Sequence, residues 1–240
     1  MKLQKIMLTG CLLVAFIVMN GCGADEDESE FNTATLGGVW MSFSATGGSG
    51  FNNVRWIVFD GEGYLIDDLP RAGLDGITES ELLTYTLGTY TVTGRTIDAS
   101  TPYTSYTFEW TDINTLTREG YTYKFYRCIV KDNLRLSGSW TTYSNTSDPW
   151  LDESGARPVL TLNSDGTFTD RGLWVTNFIY PNAEPQNSPG TGTYQIIDFS
   201  LVLTYSDGRL IKRSFTGAVS QDPEKNSTML YISNNAVHKR

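Results

Sequence analysis

Leu36-Gly37-Gly38-Val39-Trp40 returns later in the chain as Leu136-Ser137-Gly138-Ser139-Trp140. An Asp-Gly pair follows each copy, Asp60-Gly61 and then Asp165-Gly166. A Gly-Thr-Tyr phrase follows each pair, Gly88-Thr89-Tyr90 and then Gly192-Thr193-Tyr194. Three landmarks in one order, at offsets of 100, 105 and 104 residues, divide the chain into two copies of one plan. The first copy runs over about residues 35–131 and the second over 134–237, joined by the short link Lys131-Asp132-Asn133.

Within each copy the patterning is that of strands. Val54 to Phe59 runs into Asp60-Gly61-Glu62-Gly63, and Tyr64-Leu65-Ile66 returns. Asp-Gly between apolar runs favours a hairpin because both residues tolerate positive φ. Tyr90 and Val92 alternate with Thr, and Tyr106, Phe108 and Trp110 alternate in the same way. A period of two places one face of each strand in a core. In the second copy, Val159 to Leu162 and Thr167-Phe168 repeat the hairpin, and Leu173 to Tyr180 reads as its continuation. Ile196, Leu201, Leu203 and Ile211 carry the alternation onward, and Met229 to Ile232 reads as the closing strand. The first turn, Asp60-Gly61-Glu62-Gly63-Tyr64, reads as one residue longer than Asp165-Gly166-Thr167-Phe168. Only Thr78 to Glu81 has capping-box spacing, which predicts one short helical turn.

The N-terminus reads as an export signal. Lys2 and Lys5 precede a mostly apolar run, Ile6 to Met19, which at roughly 14 residues is short for a membrane span. The run ends in Met19-Asn20-Gly21-Cys22. This resembles the lipobox of bacterial lipoproteins, although Met19 and Asn20 depart from the commoner residues. The resemblance implies cleavage after residue 21 and lipid attachment at Cys22. Residues 22–34 then form an acidic tether, because the run Asp25-Glu26-Asp27-Glu28 repels itself and stays extended. The acidic run also resembles export signals of bacterial surface lipoproteins. The expected location is the outer membrane, on its periplasmic face or at the cell surface.

Composition narrows the function. Removing Lys2 and Lys5 from 18 basic residues leaves 16 against 27 acidic ones, a net charge of about −11. Nucleic-acid phosphates demand clustered Lys and Arg, so nucleic acid is excluded as a partner. The only cysteine beyond the lipobox is Cys128, so no disulfide is available and a hydrophobic core must hold the fold. No cofactor or metal is expected. The single histidine, His238, reads as a frayed terminal residue, and no His cluster exists for zinc. Asp67-Asp68 and Asp152-Glu153 are adjacent carboxylates, which on an extended strand point to opposite faces rather than facing each other across a substrate. No catalytic residue is assigned.

The order Leu-x-Gly-x-Trp, apolar strand, Asp-Gly-x-aromatic, Gly-Thr-Tyr and further apolar strands resembles the lipocalin-like domains of bacterial lipoproteins. The resemblance implies an all-β chain of two tandem small antiparallel β-barrels behind the signal peptide. The rival architecture is an open β-sandwich. The resemblance also implies that Trp40 and Trp140 plug one end of each barrel. Trp150, Trp174 and Tyr180 lie outside the shared plan and are the candidate ligand-binding aromatics. Loops Asp67–Thr84 and Pro181–Gly190 occupy equivalent places and would rim the barrel mouths. The expected function is a membrane-anchored, non-catalytic lipoprotein binding a small apolar molecule or a glycan. The alternative is a structural or interaction lipoprotein with filled barrels and envelope-protein partners. An enzyme acting on glycans, resting on loop carboxylates alone, is a third reading.

Overall fold

A computed structural model describes residues 31–45, 52–142, 159–173 and 188–240. The chain forms two closed antiparallel barrels of eight strands each. The first contains β1 (Gly38–Ala45), β2 (Asn52–Phe59), β3 (Tyr64–Ile66), β4 (Leu87–Thr93), β5 (Thr96–Ser100), β6 (Ser105–Asp112), β7 (Thr115–Arg118) and β8 (Lys124–Arg127). The second contains β9 (Gly138–Thr142), β10 (Leu160–Leu162), β11 (Thr167–Asp170), β12 (Gly190–Ile197), β13 (Ser200–Tyr205), β14 (Leu210–Gly217), β15 (Met229–Ile232) and β16 (Asn235–Lys239). Two single-turn helices, α1 (Thr33–Leu36) and α2 (Glu79–Leu82), complete the described elements. Helix α2 has the capping box expected from Thr78 and Glu81. Closure excludes the open sandwich, and it leaves neither sheet with a free edge.

The alternating residues fill the interiors. Trp40, Ile57, Phe59, Tyr90, Phe108, Trp110 and Phe125 form the first core. Trp140, Leu160, Phe168, Ile196, Leu203 and Phe215 belong to the second. Trp56 is also buried, but it alternates away from Ile57 and Phe59 and lies outside the first core cluster.

The repeated sequence landmarks are one physical cluster in each barrel. The Tyr90 hydroxyl accepts from the Gly61 N–H (3.1 Å) and donates to the Thr33 carbonyl (3.4 Å). The Tyr194 hydroxyl accepts from the Leu136 N–H (2.8 Å) and lies 3.0 Å from the Asn163 carbonyl. Each tyrosine therefore ties the segment entering the first strand to the first hairpin turn. Burial, with the charge of Asp60 in support, pushes the Tyr90 phenol up to about 12, so it stays protonated. The glycine two residues earlier is a steric requirement. A Cβ on Gly192 would stand 2.0 Å from the Thr204 carbonyl oxygen, and one on Gly88 would stand 2.3 Å from that of Ser100.

Trp40 and Trp140 are fully buried at this same end. The Trp40 indole N–H donates to the Leu36 carbonyl (2.9 Å), and that of Trp140 to the Ser227 carbonyl (2.7 Å). Arg127 pairs across from Trp40 and places its guanidinium 4.3 Å from the ring centre. Lys239 stands opposite Trp140 in the same way, at 5.4 Å.

Four expectations change. The two first hairpin turns are equal in length. Asp60 N–H donates to the Tyr64 carbonyl and Asn163 N–H to that of Thr167, while Tyr90 and Tyr194 N–H donate to Gly63 and Gly166. Gly63 is thus the counterpart of Gly166, and Asp60 that of Asn163; the matching Asp-Gly letters sit out of register. Second, the closing strand is β16 and not Met229–Ile232, because β16 alone pairs with both β15 and β9. His238 is consequently a paired strand residue rather than a frayed one, and burial lowers its pKa. Third, Leu173 lies beyond β11. Asp170 ends that strand by accepting from the N–H groups of Gly172 and Leu173, both at 2.9 Å.

The fourth change concerns the loop after β3. The stretch Leu69–Ile77 groups with the second compact unit, which otherwise comprises Cys128–Arg240. Leu74 N–H donates to the Asp198 carbonyl, Ser214 N–H to that of Arg71, and Lys212 Nζ lies 2.7 Å from Asp75 Oδ2. Only Asp67, Asp68 and the part from Thr78 onward belong with the first barrel. Gly73 allows this packing, since a Cβ there would stand 2.0 Å from Ser200 Oγ.

Candidate functional site

Trp40 is buried at the end of the first barrel where β1 begins. At the opposite end, inward-facing positions carry polar and aromatic groups in place of aliphatic ones. Ser42 pairs with Arg55 on one side and with Phe125 on the other. Phe125 is core, and directly paired residues share a face, so Ser42 and Arg55 face inward as well. Arg118 pairs with the core residue Phe108, and Tyr106 pairs with Ala99. Asp67 follows Leu65 by two residues on β3's extension, which keeps the ladder through an Asp67 N–H bond to the Thr86 carbonyl.

These groups touch. The Tyr106 hydroxyl donates to Asp67 Oδ2 at 2.6 Å. Burial, that hydrogen bond and the Asp67 charge push the Tyr106 phenol up to about 12 against the opposing pull of Arg118, so it is a donor at neutral pH. The Arg118 guanidinium lies 4.3 Å from the Tyr106 ring centre and 4.2 Å from that of Tyr121. Tyr121 and Tyr123 have ring centres 5.0 Å apart. Arg55 hydrogen-bonds Tyr123. Its burial works to lower its pKa, but Tyr123 and the charge of Asp67 outweigh that and hold the guanidinium above its ordinary value. The result is a girdle of Arg55, Tyr123, Tyr121, Arg118, Tyr106 and Asp67, with Ser42 below it. Tyr103, in the β5–β6 turn at the same end, is 85 % exposed, and Tyr121 is 46 % exposed.

The second barrel has a related constellation. Asp170 holds the ladder position of Asp67, since Phe168 faces Gly192 as Leu65 faces Gly88. Tyr205 donates to Asp170 Oδ2 at 2.8 Å, and Arg209 lies 4.0 Å from the Tyr205 ring centre. Here the groups are spent. Asp170 is 2 % exposed and its other oxygen takes two backbone N–H groups. Arg209 donates to Asp207 Oδ2 and to the carbonyls of Ser188 and Pro189. Burial pushes the Asp170 carboxyl up to about 6 although all its hydrogen bonds favour the charged form.

Of the residues singled out from sequence, Trp40 and Trp140 are fully buried in their barrels. Cys22, Trp150, Trp174 and Tyr180 lie outside the described residues, as do residues 181–187 of the second loop. Among the described residues no group of three or more His, Cys, Asp or Glu is placed to hold a metal ion, and no helix is long and apolar enough to cross a membrane. The girdle was missed because its members come from separate strands. Parity was the available signal: Arg55 alternates with Ile57 and Phe59, and Arg118 with Leu116. No protein-family model, curated protein or solved structure matches the chain.

Proposed function

We propose that this chain is a non-catalytic lipoprotein of the cell envelope, anchored through lipid on Cys22, that binds a small glycan at the mouth of its first barrel. The observation that carries the reading is the girdle of Arg55, Asp67, Tyr106, Arg118, Tyr121 and Tyr123. Tyrosine rings stack on sugar faces, while guanidinium and carboxylate groups fix hydroxyls. Fully buried Trp40, Trp110, Phe59, Phe108 and Phe125 occupy the barrel interior beneath, which favours a glycan at the rim over an apolar molecule inside. The anchor contributes on the order of 0.8 kcal/mol per buried CH₂.

The test is calorimetric titration of the protein with neutral and acidic oligosaccharides. Tyr121→Ala is expected to weaken the binding at least about tenfold, a typical cost for an aromatic contact of this kind. Failure of every oligosaccharide to bind would sink this reading. It would favour the second one, an envelope interaction protein, for which the filled cores of both barrels speak.

A further inference from the structure

We propose that the ligand at the first barrel's mouth carries a carboxylate, as a uronic acid does, and that Arg118 and Arg55 grip it. This rests on the binding reading above and adds the chemical class of the ligand.

The argument begins with Arg118. Tyr106 and Tyr121 rings each lie against its guanidinium, at 4.3 and 4.2 Å. These ring contacts hold the guanidinium without taking up its N–H donors in hydrogen bonds. None of these donors has a hydrogen-bond acceptor among the described residues. A guanidinium so held is a planar fork with its orientation set in advance, and its natural partner is a planar, two-oxygen anion.

Charge points the same way. The charged groups of the girdle are Arg55 and Arg118 against Asp67. Asp67 already takes the Tyr106 hydroxyl at 2.6 Å. One positive charge is left over, in a chain whose net charge is −9. A monoanionic carboxylate balances it, whereas a dianionic phosphate would overshoot.

Below the girdle lies an independent sign of a missing partner. Ser42 is 1 % exposed, and its Oγ has no hydrogen-bond partner. It stands directly across from Arg55 on the inner face. A buried hydroxyl without a partner forfeits the hydrogen bonds it would make in water. A ligand oxygen reaching between Arg55 and Ser42 would satisfy it.

The experiment uses the full-length protein in detergent, titrated by calorimetry with oligogalacturonate and with a neutral oligosaccharide of equal length. The acidic sugar is expected to bind at least tenfold more tightly, and to lose that advantage as salt is raised. Arg118→Lys keeps the charge but not the fork, and is expected to erase most of the preference. Near-UV circular dichroism checks that the variant is folded, and Arg55→Gln provides a second variant. Equal affinity for both sugars would overturn the carboxylate assignment while leaving glycan binding in place. Equal losses for both sugars in Arg118→Lys would also overturn it, because Arg118 would then act only as a support for the tyrosines. Binding of neither sugar would overturn the assignment together with the reading beneath it.

Discussion

The mouth of the first barrel and its counterpart in the second use the same three residue types, an aspartate, a tyrosine and an arginine. In the first, Asp67 and Arg118 are half-buried and Arg118 has donors to spare. In the second, Asp170 takes three hydrogen bonds and Arg209 is committed to Asp207, Ser188 and Pro189. A set of residues is a candidate site when it retains unspent hydrogen-bonding capacity. The same set with every group satisfied is part of the fold.

That contrast can be broken most readily at the aspartates. Asp170→Ala removes the acceptor of two buried N–H groups and of the Tyr205 hydroxyl, and is expected to cost about 3–4 kcal/mol in denaturant unfolding. Asp67→Ala, at the girdle end of the first barrel, is expected to cost under about 1 kcal/mol. Comparable losses would mean that both aspartates serve the fold.

The pH dependence sharpens the comparison. The Asp170 carboxyl is pushed up to about 6 in the folded chain, above its ordinary value of 3.8. Between those values the folded state binds more protons than the unfolded state, so stability falls as pH rises through the window. The penalty is absent below the lower value and complete above the upper one, at about 2–3 kcal/mol. Denaturant titrations of wild type and Asp170→Asn across pH 4–7 would check this. Asn can still accept from Gly172 and Leu173, and the variant is expected to lose that slope.

The smallest expected difference lies at the plugs. Arg127 donates to the carbonyls of Gly37 (2.7 Å) and Thr35 (2.6 Å) besides covering Trp40. Lys239 stands farther from Trp140, at 5.4 Å. Arg127→Ala is expected to cost about 2 kcal/mol and Lys239→Ala about 0.5 kcal/mol, both read as shifts in thermal midpoint. A reversal of that order would make the charge over the indole, and not the carbonyl bonds, the stabilising part of the plug.

Much of the fold was legible because it rests on local rules. Alternation of Tyr106, Phe108 and Trp110 needs only the pleat, and the Thr78–Glu81 cap needs only one turn of chain. The hairpin register was misread because Asp60-Gly61 and Asp165-Gly166 match as letters, whereas the ladder aligns Gly63 with Gly166. The closing strand was misplaced because Asn235–Lys239 carries one fully buried apolar residue, Val237, too few to show a period. Its identity comes from pairing with β9 at the far end of the module.

Read alone, the sequence determined that the chain is a doubled all-β protein and where each copy of the plan starts. Side-chain alternation and turn chemistry act over a few residues, which is why they can be read along the chain. Tertiary structure alone decided that Tyr90 and Tyr194 knot the repeated phrases together, and that Leu69–Ile77 packs with the second unit. It also decided that Arg55, Asp67, Tyr106, Arg118, Tyr121 and Tyr123 share one mouth. The reason is closure: a barrel brings distant strands to one rim, and no spacing along the chain records which residues will meet there.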